Sequence, residues 1–319
     1  FAFEYSTTDT DTIFSDTDID TLFITTRHNS HARFMLQALT AGKNVFVEKP
    51  LCLTLEELEE IQSAADTHRR TQTILSAGRA EEKVSDASRN TQKFNSSSLN
   101  SLNGSNTTTP PKPDENPRLE INPQPILMVG FNRRFAPHVM KMKELLRSTV
   151  EPLSMIMTVN AGYIPSEHWT QDPEVGGGRI VGEACHFIDL LRFLSGYRIA
   201  DHRITVLNNQ FSDTVSIDLE FEDGSIGTIH YFANGSKRFA KERLEVFSGG
   251  RILQLDNFRV LKGYGWKNFK RMKLWGQDKG HAAGVKAFLY AVQYGMASPI
   301  PFEEIHEVSK VTLELAGFK

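Results

Sequence analysis

Two folding patterns divide this sequence, which predicts an α/β unit followed by an α+β unit. Over residues 1–78 apolar segments alternate as strand, helix, strand and helix, the order of a parallel, doubly wound sheet. Beyond residue 150 seven short β-rich segments follow one another, as in a large, mostly antiparallel open sheet. Two amphipathic patterns then close the chain and supply helices to cover that sheet.

Each element has a local reason. Residues 21–26 are β-branched, aromatic and short, and read as a strand. Phe34, Met35, Ala38 and Leu39 recur at helical spacing over residues 31–41, and Gly42 supplies the stop. Val45-Phe46-Val47 reads as a buried strand that ends abruptly in Glu48-Lys49-Pro50. Thr54 with Glu57 forms a capping box for a helix whose buried face is Leu55, Leu58, Ile61 and Ala65. From residue 79 to 125 Ser, Thr, Asn and Pro dominate, with apolar residues too few to offset ordering entropy, so this stretch reads as a disordered insert. Residues 126–131 resume as a buried strand, and Pro137 opens a helix to Leu146. Strands are expected at 154–161, 203–210, 214–221, 225–232, 242–247, 251–255 and 259–262, with helices at 281–294 and 303–315. Alternation is clearest in residues 215–221, which have one apolar and one polar face, and Glu222-Asp223-Gly224-Ser225 has hairpin-turn chemistry. The expected units are therefore a dinucleotide-type domain in 1–78 with its last strand in 126–136, the insert 79–125, and a substrate and oligomerisation domain in 137–319.

Composition narrows the function. The chain has 319 residues, is 39% hydrophobic and carries a net charge of −3, so it can bury a large core and offers no electrostatic case for nucleic acid. Cys52 and Cys185 stand far apart in apolar contexts, which argues against a disulfide framework and for a reducing, cytoplasmic compartment. No apolar run approaches a membrane span and no signal peptide opens the chain.

Two motifs carry chemistry. A strand that runs into Glu48-Lys49-Pro50 opens at the crevice where ligands of parallel sheets bind, and proline holds Lys49 on a rigid support. The second motif is Gly176-Gly177-Gly178 followed by a helix in which Glu183, His186 and Asp189 recur every three residues. An imidazole flanked by carboxylates suits proton transfer, although a helix histidine satisfied by a local hydrogen bond is the commoner arrangement. A metal site is not expected, because no cysteine or second histidine stands at ligand spacing.

These motifs, in this order, resemble the glucose–fructose oxidoreductase and inositol dehydrogenase (Gfo/Idh/MocA) family of nicotinamide-dependent sugar oxidoreductases. The resemblance implies an incomplete Rossmann-type domain followed by the antiparallel-sheet domain, with NAD or NADP as cofactor and a sugar, nucleotide sugar or cyclic polyol as substrate. It implies that Lys49 is the active-site lysine, that His186 is its acid–base partner with Glu183 assisting, and that Glu48 touches the cofactor ribose. Thr25, Thr26, His28, Asn29 and His31 would approach the nicotinamide half. Arg133 and Arg134, with Tyr163, His168 and Asp189, would line the substrate side, while a structural salt bridge is an equal reading for Arg133. Gly130 to Phe135 and His168-Trp169 are similar to a subgroup fused behind zinc-type alcohol-dehydrogenase domains. A homo-oligomer through the antiparallel sheet is expected.

Two departures stand out. Gly182 occupies the position where relatives carry an aspartate four residues before the histidine. No G-x-G-x-x-G turn occurs, so the chain is expected to be an N-terminally truncated piece that binds dinucleotide poorly. The competing expectation is a non-catalytic relative acting as an assembly or sensing module, or the tail of a fused dehydrogenase.

Overall fold

The computed structural model describes residues 4–67, 125–208 and 213–317. The first unit is a three-stranded parallel sheet in the order β1-β2-β3, built from Thr21–Ile24, Asn44–Val47 and Leu127–Val129. Leu22, Val45 and Leu127 stand in one row across it, and Ile24, Val47 and Val129 in another. Val45, Phe46, Val47, Met128 and Val129 are all buried, as expected of strands covered on both faces. Helix α1 is Thr10–Ser15 and α2 is His31–Thr40, which ends before Gly42 at φ +68°. Residues 55–67 form α3. Its start is the expected capping box: Thr54 Oγ1 accepts from the Glu57 amide at 3.1 Å, and the Glu57 carboxylate accepts from the Leu53 and Thr54 amides. The expected insert falls, but for Pro125, outside the described residues.

The second unit is an eight-stranded sheet in the order β11-β10-β9-β8-β4-β7-β6-β5. Its strands are β4 Ser154–Asn160, β5 Ile199–Val206, β6 Val215–Phe221, β7 Ile226–Phe232, β8 Glu242–Ser248, β9 Arg251–Asp256, β10 Val260–Tyr264 and β11 Arg271–Lys273. All pairings are antiparallel except β4 with β7. Strand β5 begins four residues earlier than expected. The Glu307 carboxylate takes the Ile199 amide at 2.6 Å, which fixes the start of the strand. Strand β11, short and charged, had no pattern to announce it.

Helices α4 (Pro137–Leu146), α5 (Cys185–Ser195), α6 (His281–Tyr294) and α7 (Phe302–Leu315) complete the unit. Buried Met157, Ile217, Tyr231 and Leu244 from alternate strand positions join Phe187, Leu190 and Leu191 of α5 and Val139 and Met142 of α4 in one core. Close approach of α5 to β7 requires Gly227, where an added Cβ would lie 2.8 Å from Leu191 Cδ1. Helix α7 contacts both α5 and β3, so the two sheets share one packed core.

Candidate active site

The C-terminal ends of β1 and β2 open on a cavity of about 290 Å³. Its wall includes His28, Lys49, Trp169, Arg179, Glu183 and His186, drawn from both units.

Lys49 follows β2 by two residues. The Glu48 amide still donates to Ile24 O at 2.8 Å, which carries the ladder one residue beyond the strand. Behind the turn, His31 is fully buried, with Nδ1 2.7 Å from Pro50 O and Nε2 3.1 Å from Thr26 O. Leu51, Cys52 and Leu53 pack the turn into the core. Lys49 Nζ reaches across and donates to Gly182 O at 2.6 Å.

His186 lies in the first turn of α5, edge-on to Phe131, and its Nδ1 is buried without a hydrogen-bond partner. Burial holds the ring well below the ordinary histidine value of 6.5, and Arg133, Lys49, His281 and Lys279 push the same way. The imidazole is therefore neutral at neutral pH. His28 is also neutral. Burial pulls it down to about 4, against the favourable bond to Gly176 O and with help from Lys49 and His31. Gly176 O can only accept, so His28 Nδ1 carries the proton at 2.8 Å and Nε2 keeps a lone pair. The His28 ring stands edge-on to Trp169 at 4.8 Å.

The glycine triplet has a steric role. A Cβ at Gly176 would lie 2.5 Å from Trp169 O, and one at Gly177 (φ +70°) 2.6 Å from Leu53 Cδ2. Close packing of the Trp169–Gln171 turn and of the Lys49 turn needs these positions bare.

The spacing of three does not hold Glu183, His186 and Asp189 on one sector. Ile180–Ala184 is a π-helical turn, entered from helical Gly178 and Arg179 and followed by the regular helix α5 from Cys185. Glu183 lines the cavity but is held by Lys241 Nζ and Tyr231 Oη, both at 2.5 Å, and by Arg179 at 3.3 Å. Burial alone would raise its carboxyl, yet these partners prevail and bring it down to about 2. It is a fixed anion rather than a proton carrier. Asp189 is fully buried and accepts both a short bond and a 3.1 Å bond from Arg134, away from the cavity. Arg134 also reaches Glu304 at 2.8 Å. The expectation that Asp189 and Arg134 touch substrate is thereby corrected: each neutralises the other in the core.

Other expected residues divide similarly. His31 clamps the Lys49 turn instead of facing a ligand: it is fully buried, with both ring nitrogens turned to backbone carbonyls. Thr25, Thr26 and Asn29 are exposed beyond β1, and Glu48 lies over Gly130, where an added Cβ would meet its Oε2 at 3.0 Å. Arg133 lines the cavity and also makes the structural salt bridge, bidentate to Glu242 at 2.9 and 3.0 Å. Tyr163 is 53% exposed, and His168 turns to Thr170 Oγ1; neither is on the cavity wall. Sequence reasoning missed Trp169, Arg179, Lys279 and His281 as wall residues. Asp278-Lys279 just ahead of α6 and His281 at its first position were the available signal for the last two. Among the described residues no group of His, Cys, Asp or Glu could hold a metal ion.

Comparison with known proteins agrees with this geometry. Residues 1–76 match the oxidoreductase family with an NAD-binding Rossmann fold, and residues 139–250 match the GFO/IDH/MocA C-terminal domain. The uncharacterized oxidoreductase YrbE of Bacillus subtilis is 24% identical over 276 residues, covering 80% of this chain and 61% of that protein. Inositol 2-dehydrogenase 2 of Saccharopolyspora erythraea is 25% identical over 231 residues, covering 70% of this chain and 50% of its own length. The chain thus spans between half and three-fifths of these relatives. In fold it is similar to levoglucosan dehydrogenase solved with NADH and levoglucosan (TM-score 0.71, 18% identity, 99% of this chain and 82% of that one). It is also similar to UDP-N-acetylglucosamine 3-dehydrogenase GnnA of Acidithiobacillus ferrooxidans (TM-score 0.68, 15% identity, 98% and 82%). The two domain matches, together more than half the chain and in the order of the two sheets, show that the chain belongs to the Gfo/Idh/MocA family of oxidoreductases.

Proposed function

We propose that the chain carries the hydride-transfer site of an NAD(P)-dependent dehydrogenase acting on the CH–OH group of a sugar, nucleotide sugar or cyclic polyol. The observation that carries this reading is the convergence of Lys49 and His186 on one cavity at the C-terminal edge of the parallel sheet. Residues 1–78 and 126–136 then serve the cofactor, and 137–319 the substrate. The residues present fit the nicotinamide half of the cofactor: Thr25, Thr26 and Asn29 are exposed beside the Lys49 turn, and Gly130 leaves room for the Glu48 carboxylate. When bound, the nicotinamide supplies the hydride acceptor or donor.

The chain's own groups handle the proton. Lys49 spends one N–H on Gly182 O and has others left to donate to the reacting oxygen. Neutral His186 can accept the proton that the hydroxyl must shed as its carbon loses hydride. Trp169 gives the cavity a flat apolar wall for a ring, held by His28 and by the Arg27 guanidinium at 5.9 Å. Two unpaired buried cysteines, Cys52 and Cys185, suit a reducing, cytoplasmic setting.

The test is Lys49→Met assayed for NAD(P)-linked oxidation of myo-inositol and levoglucosan beside the unsubstituted protein. Turnover should fall roughly 100-fold or more while the chain still folds cooperatively. An unchanged rate would refute the assignment, and loss of nothing but assembly would favour a sensing or scaffolding role.

A further inference from the structure

The cavity wall has an excess of positive charge. Lys49, Arg133, Arg179 and Lys279 line it, against the single carboxylate Glu183. The carboxylates behind the wall do not balance them. Glu242, whose side chain is fully buried, is shared by Arg133 at 2.9 Å and Lys279 at 2.6 Å. Glu183 is likewise shared by Arg179 and Lys241, and Asp213 stands 3.7 Å from Arg179. Among the described residues, Lys49 is held by a backbone carbonyl. Among the described residues, five cations thus meet three carboxylates on this wall and directly behind it.

We propose, building on the dehydrogenase reading above, that the substrate is anionic: a ring that stacks on Trp169 and carries a carboxylate or phosphate received by Lys279. Unbalanced charge in a partly enclosed cavity is costly, and a ligand anion offsets it where a neutral sugar cannot. Lys279 is the suited receiver. Its side chain is only partly buried and it uses one N–H on Glu242, whereas Arg133 is committed to the same carboxylate through two bonds. Arg179 is committed to Gly162 O, Ala161 O and Glu183. The same anion would act on His186. The ring's basicity is depressed partly by Arg133, Lys49 and Lys279, so a negative charge seated among them restores its capacity to take a proton.

The test is calorimetric binding of D-glucose, D-glucuronate and D-glucose 6-phosphate, with and without NADH or NADPH, to the full chain and to Lys279→Met and Lys279→Arg. Binding is read apart from turnover, so its outcome is separable from that of the Lys49→Met assay. At least one charged sugar should bind about tenfold or more tighter than glucose, with affinity falling as salt rises. Lys279→Met should erase that preference and Lys279→Arg retain it. Preference for glucuronate assigns a carboxylate, and preference for glucose 6-phosphate a phosphate. Glucose binding as well as both anions, no binding of either anion, or a preference unchanged in Lys279→Met would overturn the proposal. Lys279→Met leaves the bidentate Arg133–Glu242 pair in place, and its melting curve checks that it folds.

Discussion

Glu183 shows how partners decide what a carboxylate can do. With Lys241, Tyr231 and Arg179 around it, its proton leaves near pH 2 rather than at the ordinary 4.5. Because the folded value is the lower one, its contribution to stability is whole above pH 4.5 and is lost as the pH falls toward 2. Glu183→Gln should lower stability at pH 7 by on the order of 3 kcal/mol, read by urea unfolding, yet leave the shape of the rate-against-pH profile unchanged. A lost limb in that profile would show that Glu183 does carry a proton. His28 acts on a higher window. Its folded value of about 4 lies below the unfolded 6.5, so the unfolded chain takes up the proton first and stability is lost as pH falls from 6.5 to about 4. His28→Gln should flatten that part of the stability curve, measured as Tm between pH 4 and 7.

At the scale of elements, α5 is tied to its neighbours by buried charge. Arg134 joins Asp189 of α5 to Glu304 of α7, and Arg192 of α5 meets Glu307 of α7 at 3.1 Å. Removing one partner leaves the other charge uncompensated in the core. Arg134→Met should therefore cost about 3–5 kcal/mol, and Arg134→Met with Asp189→Leu should recover much of it in the same urea titration. Gly227→Ala should cost about 1–3 kcal/mol through contact with Leu191. Much of the element order was legible: the capping box at Thr54, the Gly42 stop, the alternation in β6 and the Lys49 turn each follow from residues close in sequence. What could not be read is non-local. The π-helical turn at 180–184 breaks the spacing that made Glu183, His186 and Asp189 look like one face. Arg133 finds Glu242, and Lys279 joins the same carboxylate, only because the chain folds β8 and the approach to α6 against the 3-10 turn Asn132–Phe135. Periodicity reports which side of an element is buried, not which distant residue it meets.

On the scale of the whole molecule, the eight-stranded sheet packs one face against helices and leaves Ile156, Ile226, Phe232 and Phe247 exposed on the other. We propose that this face carries the homo-oligomer expected from the sequence, and Phe247→Lys should shift the mass measured by light scattering toward the monomer. The two units are also bridged at single atoms, as where Ser298 Oγ, in the loop between α6 and α7, donates to Leu127 O of β3 at 2.8 Å. The bond from Lys49 to Gly182 O is another such bridge. Its acceptor is main chain, so no exchange of side chains at 182 deletes it; any larger residue there instead meets His28 at 3.2 Å. Alanine scanning reaches this tether only from Lys49, where it also takes the amine out of the cavity. Only backbone surgery, such as an ester in place of the 182–183 amide to weaken the carbonyl, could loosen the lysine while every side chain stays in place.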